Sequence, residues 1–262
     1  MVKAPFENYL TQIAFQRSAW ARKPVLRKLY QHSFGLIVES LSPLKPTIEI
    51  GSGCGNFKAY FPESIATDLY VSGPWIDRVA DAYNLPFSEG EVGNLTTFDV
   101  LHRLQRPLTF LKNASAALKP GGRLVLCEPA VTPWSRFVNK APLDTDWKLF
   151  DLEGQALDLD PEHNFSNAGI PEILFWQQRD RTLAALPELK LVSIRKFGFI
   201  LYPMTGDFGH RCFVPRFGFS AFLSIEDLIM RPFANWLTGV RMLVVLEKKV
   251  LVDGALIGPR IT

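Results

Sequence analysis

Three glycines at alternate positions, Gly51, Gly53 and Gly55, sit in the run Glu49-Ile50-Gly51-Ser52-Gly53-Cys54-Gly55. Backbone without Cβ atoms turns tightly and lets a ligand approach where a side chain would collide. The dinucleotide spacing G-x-G-x-x-G is not met, because the third glycine follows one residue rather than two, and no Gly-Lys-Ser/Thr completes a P-loop. Glu49 places an acid on the strand just before the turn. Downstream, Asp68 and Asp81 offer two more carboxylates, and His102 offers an imidazole, a side-chain type that can accept a proton from a hydroxyl nucleophile. His102 either serves as that base or packs beside a ligand. Glu128 and His163 are weaker candidates for the same role.

The elements that must position these groups are legible as changes of texture. From about Phe6 to Leu41 apolar residues recur at helical spacing, including Leu26, Leu29, Tyr30, Phe34, Ile37 and Val38, which predicts one or two helices ending before Ser42-Pro43. Short apolar runs then alternate with polar or helical segments, the pattern of a parallel α/β sheet. Strands are expected at Thr47–Ile50, Ser64–Leu69, Arg78–Ala82, Leu95–Leu101 and Gly122–Cys127, with a helix at Pro107–Leu118 closed by Lys119-Pro120-Gly121-Gly122. A helix from Ile170 to Leu186 and strands at Leu189–Ile194 and Arg241–Glu247 follow. Glu49, Asp68, Asp81 and His102 all fall at or just beyond the ends of predicted strands, the edge at which open α/β sheets bind ligands.

These pieces, in this order, resemble the class I S-adenosylmethionine (SAM)-dependent methyltransferases over roughly residues 45–130. The acid followed by G-x-G-x-G matches the family's first motif, and Ala80-Asp81-Ala82-Tyr83-Asn84-Leu85-Pro86-Phe87 matches its D-A-x-x-L-P-F signature. Phe98-Asp99-Val100-Leu101-His102-Arg103-Leu104 matches the D-V-L-H-H-L segment, and Leu118-Lys119-Pro120-Gly121-Gly122-Arg123-Leu124 the L-K-P-G-G-x-L turn. The resemblance implies a doubly wound, Rossmann-like, mostly parallel seven-stranded sheet with an antiparallel last strand. It also implies SAM as cofactor, with Glu49, Gly51, Gly53 and Gly55 around its methionine end, Asp68 on the ribose hydroxyls and Asp81 on the adenine amino group. Ala82 and Phe98 join the cofactor-binding residues on the same grounds. Two departures stand out: Ser72-Gly73-Pro74-Trp75 replaces the usual helix between Asp68 and Asp81, and Arg103 stands where the family often has a second histidine.

The expected organisation is a helical cap at 1–45, a methyltransferase domain at 46–250 and a tail at 251–262. Within the domain, an insertion at about 131–188 and an aromatic-rich segment at 197–222 face the substrate. Eight Phe or Tyr residues of that segment, from Phe197 to Phe222, either line an acceptor pocket, fill the core or, with Lys196, Arg211 and Arg216 interleaved, lie against lipid.

With 29 Lys+Arg against 26 Asp+Glu spread over 262 residues and 47% hydrophobic residues, the chain is globular and carries no basic run suited to nucleic acid. Its three cysteines are far apart, giving neither a metal-ligand pattern nor a disulfide framework, and suggest a reducing, cytoplasmic setting. No apolar stretch reaches the ~18 residues of a membrane span, although peripheral membrane contact stays open. The expected activity is methyl transfer from SAM to a small-molecule acceptor, partly apolar or a biosynthetic intermediate, with oxygen favoured by His102. Alternatives are a non-catalytic SAM-binding partner of another methyltransferase and an enzyme using the same pocket for other chemistry.

Overall fold

The computed structural model describes residues 5–139, 166–230, 234–252 and 255–256. Two helices, α1 (Pro5–Arg22) and α2 (Pro24–Glu39), precede β1 (Thr47–Ile50), α3 (Asn56–Tyr60), β2 (Ile65–Asp68), β3 (Arg78–Val79) and β4 (Val92–Phe98). A 3₁₀ turn at Leu101–Arg103, α4 (Pro107–Ala117), β5 (Leu118–Pro129) and α5 (Pro133–Asn139) follow. After α6 (Ile170–Glu172) and a π turn at Ile173–Gln177 come α7 (Arg179–Ala184), β6 (Leu189–Phe197), α8 (Leu201–Met204), α9 (Phe219–Met230), a second π turn at Ala234–Thr238 and β7 (Arg241–Lys248). Beyond β7, two-residue strands β8 (Leu251–Val252) and β9 (Ala255–Leu256) pair with each other.

The seven-stranded sheet has the order β3-β2-β1-β4-β5-β7-β6. β3, β2, β1, β4 and β5 are parallel, while β7 runs antiparallel to both β5 and β6. Side-chain alternation splits the core between the two faces. Leu124 and Leu126 of β5 and Val244 and Leu246 of β7 join Leu108, Phe110, Leu111 and Ala114 of α4. Their neighbours Val125, Cys127, Leu243 and Val245 join Leu26, Tyr30, Phe34 and Ile37 of α2 and Phe57 of α3. Coverage of both faces explains why these strands read as continuous apolar runs. Buried Asn94 pins the chain entering β1, accepting the Ser42 N–H (2.8 Å) and donating to the carbonyls of Ser42 (3.0 Å) and Leu44 (2.7 Å).

Several expectations need correction. The third strand is only Arg78–Val79, because Ala80 turns toward the bridge between Asp81 and Asn84. The fourth is Val92–Phe98 and ends before Leu101, which starts a 3₁₀ turn held against β5. Lys119-Pro120-Gly121-Gly122 lies inside β5, where Gly121 takes φ 78° beside a register shift between Val92 and Asn94. The single helix expected from Ile170 to Leu186 is broken by the π turn, which the Gln178 N–H closes on the Ile173 carbonyl at 2.8 Å. As expected, no helix joins β2 to β3, and β7 is antiparallel. Most of the tail and residues 140–165 of the insertion lie outside the described residues.

Candidate active site

β1 delivers Glu49 and the glycine turn to the carboxyl edge of the sheet. Gly51 has φ 76°, and a Cβ there would lie 2.4 Å from Val100 Cγ2. Gly55 has φ 72°, and its Cβ would lie 2.4 Å from Trp75 Cδ1. Both positions therefore demand glycine on conformational and on steric grounds. The Gly53 N–H donates to Asp68 Oδ2 at 2.7 Å, tying the turn to the end of β2. Its carbonyl accepts from the Ser72 hydroxyl (2.9 Å) and from Trp75 Nε1 (2.8 Å). The segment that replaces the usual β2–β3 helix thus braces the glycine turn directly.

α1 closes over the same turn. Arg17 donates to the Cys54 carbonyl (2.9 Å) and lays its guanidinium 3.8 Å above the Trp75 ring. The Tyr9 ring packs tilted against Tyr70 with centroids 5.4 Å apart, and burial first, then the Asp68 charge, hold its hydroxyl far above the ordinary phenol range. Burial also pushes the Cys54 thiol up to about 11, which leaves it a poor nucleophile. These α1 contacts were not legible in the sequence, where the helix offered only an amphipathic pattern.

Glu49 is 3% exposed, and its Oε2 has no hydrogen-bond partner. Burial, with the Asp68 charge adding to it, pushes its carboxyl from 4.5 up to about 7. An unpartnered acceptor at this depth beside a glycine turn is what an ammonium group would satisfy. Asp81, beyond β3, accepts the Tyr83 N–H on Oδ1 (2.8 Å), and Ala82 beside it is buried.

His102 is buried on the 3₁₀ turn after β4, with Nδ1 2.7 Å from Glu128 Oε2. Glu128, near the end of β5, also receives the N–H groups of Leu101 (2.8 Å) and Val100 (3.1 Å) and the Thr97 hydroxyl (3.4 Å). A carboxylate at Glu128 would accept the proton of His102 Nδ1 and leave Nε2 as the nitrogen free to take a proton. Glu128 and His102 thus form a buried side-chain pair. Sequence reasoning could reach Glu128 only as an isolated strand-end acid. His163 lies outside the described residues.

A second polar group occupies the same edge. Arg241, the first residue of β7, is buried and pairs with Asp99 (2.6 Å), which takes φ 61° just after β4. Its guanidinium lies 4.5 Å over the Phe98 ring and 3.5 Å from the Tyr202 hydroxyl. Phe98 also packs 5.1 Å from Tyr30 and 5.3 Å from Phe34, so its ring joins the glycine edge to α2. Ligand atoms of Asp99, His102 and Glu128 fall within 4.8 Å of one another, yet both carboxylates are already engaged by Arg241, His102 and backbone donors.

The model of a methyltransferase domain matches residues 24–168, more than half of the chain. No curated protein matches. Among solved structures, a methyltransferase in complex with the Trm112 methyltransferase activator, from Haloferax volcanii, is 14% identical with TM-score 0.51 over 95% of this chain and 99% of that one. A SAM-dependent methyltransferase from Thermotoga maritima is 17% identical with TM-score 0.51 over 90% and 98%. A methyltransferase from Bacillus halodurans is 16% identical with TM-score 0.49 over 83% of this chain and 99% of that one. The chain belongs to the methyltransferase-domain family and has the class I SAM-dependent methyltransferase fold.

Proposed function

We propose that the protein transfers a methyl group from SAM to an oxygen of a partly apolar small molecule, with His102 as the general base. SAM is the cofactor of this family. When bound, it supplies an electrophilic methyl on a sulfonium, a good leaving group that needs alignment more than activation. The residues present fit it: the positive-φ glycine turn stands at the end of β1 tied to Asp68, and the unpartnered Glu49 Oε2 is an acceptor suited to a cation. Glu49 would hold the ammonium, Asp68 the ribose hydroxyls and Asp81 the adenine amino group, with Ala82 and Phe98 lining the cleft.

The observation that carries the base assignment is the buried 2.7 Å His102–Glu128 pair at the edge that also carries the glycine turn. Glu128 fixes the tautomer and stabilises the imidazolium, so Nε2 can take the hydroxyl proton as the carbon–oxygen bond forms. Arg241 and Asp99, with Tyr202 and Phe98 beside them, would form the acceptor-side wall. The test is transfer of labelled methyl from SAM to a panel of apolar alcohols and phenols by wild type and His102→Ala. Turnover that survives the substitution unchanged would remove His102 from the mechanism.

A further inference from the structure

We infer that the outward face of α9, with residues 211–217 beside it, docks onto an anionic lipid bilayer. α9 is apolar on two opposite faces. Its inward face sends Phe219 and Leu223 against Val25 and Leu29 of α2. Its outward face carries Phe222, Ile225 and Leu228, the last 72% exposed. Just before the helix, Phe213 and Phe217 are 73% and 93% exposed. Apolar residues beyond the core-facing side of a surface helix leave that surface to a partner or to lipid.

Electrostatics identify the occupant. Every carboxylate in 198–228 is turned to an internal partner. Glu226 accepts the N–H groups of Phe199 (3.0 Å), Ile200 (2.9 Å) and Leu201 (2.9 Å). Asp227 pairs with His32 at 2.9 Å, and Asp207 accepts the Tyr30 hydroxyl at 3.1 Å. Arg211 and Arg216, by contrast, are exposed and have no ion pair or hydrogen bond from their side chains among the described residues. Free guanidinium groups alternating with exposed phenylalanines match lipid phosphates lying above acyl chains. Lys196 plays no part: it is buried in an ion pair with Glu172 at 2.8 Å, which corrects the expectation that it joins the basic face.

The surface also adjoins the candidate site. β6 is antiparallel to β7 and so runs parallel to β5, which brings the chain after Phe197 out at the carboxyl edge. Trp134 of α5 donates to the Phe199 carbonyl (3.2 Å), and Tyr202 of α8 reaches Arg241. Docking stands without the catalytic reading. Its consequence, that the acceptor arrives from the lipid phase, rests on that reading.

Flotation of the full chain with vesicles of phosphatidylcholine, with and without phosphatidylglycerol, tests the surface. Wild type should float only with phosphatidylglycerol and be released by salt. Arg211→Gln and Arg216→Gln should each weaken partitioning about fivefold. Phe217→Ser, at a position too exposed to threaten folding, should weaken it about tenfold. Ile225→Asp/Leu228→Asp should abolish it while circular dichroism and melting temperature hold. No flotation by folded wild type, equal flotation on both lipids, or a dimer in sedimentation that these substitutions dissociate would each overturn the inference. SAM binding, measured separately, reports on the catalytic reading alone.

Discussion

Replacing Glu49 with Gln is predicted to stabilise the free protein while weakening its hold on SAM. Burial raises the carboxyl from 4.5 to about 7, so ionising it inside the fold costs about 3 kcal/mol more than ionising it in the unfolded chain. The folded state keeps the proton where the unfolded state loses it. Stability from this group is therefore fullest below pH 4.5, declines as pH rises toward 7 and is flat above. At pH 8 wild type carries the whole penalty and Glu49→Gln carries none. For a chain of this size that gap is about 6–12 °C in melting temperature at pH 8, shrinking to a small difference near pH 4.5. Ligand binding should run the other way, because an ammonium needs the carboxylate. The ionised fraction climbs from about one-tenth at pH 6 to about nine-tenths at pH 8, so the wild-type Kd should tighten about tenfold across that interval. Loss of the charged contact, about 1.5–3 kcal/mol, should flatten the profile in the variant and raise Kd at pH 8 by about ten- to a hundredfold. Thermal melts and calorimetric titrations of both proteins from pH 5.5 to 8.5 decide the matter. Parallel melting profiles with equal affinities would show that Glu49 neither keeps a proton in the fold nor holds the ammonium.

Other substitutions read separate parts of the site. His102→Ala should lower kcat by about 10²–10⁴ while leaving the Kd for SAM unchanged, as steady-state kinetics and titration would show. Glu128→Gln should lower kcat less but shift the pH–rate profile, since its amide can no longer hold the Nδ1 proton as a carboxylate does. Asp99→Asn strips buried Arg241 of its counter-ion and should cost about 3–5 kcal/mol in denaturant unfolding, largely recovered by Asp99→Asn/Arg241→Met. Gly55→Ala drives a Cβ into Trp75 at φ 72°, and cofactor affinity should fall by at least about tenfold in a titration.

The parts of this protein that were legible in its sequence are those whose cause is local. The glycine turn, the acid before it and the buried runs of β1, β4 and β5 declare themselves through residue type and spacing. What escaped depends on partners distant along the chain. His102 and Glu128 are 26 residues apart and meet only because β4 and β5 are neighbours; Asp99 and Arg241 are 142 apart and meet because β7 inserts beside β5. The π turn at Ile173–Gln177 is invisible to helical periodicity, which registers an apolar run but not one extra residue in a turn. Lys196 looked like a surface cation because nothing nearby in sequence announces Glu172. The bracing role of Ser72 and Trp75 was likewise hidden, although the missing helix between β2 and β3 marked the place where a substitute had to lie.

The most direct test of the central claim is isothermal titration of the full chain with SAM and with S-adenosylhomocysteine, repeated on Asp81→Ala. The Asp81 carboxylate accepts only the Tyr83 N–H among the described residues, and its backbone hydrogen bond with Asn84 survives the substitution, so loss of the side chain should leave the fold intact. Wild type should bind both ligands with micromolar affinity, weakened by at least about tenfold in the variant through loss of a charge-assisted hydrogen bond. Absence of binding by folded wild type, or equal binding by the variant, would contradict the claim.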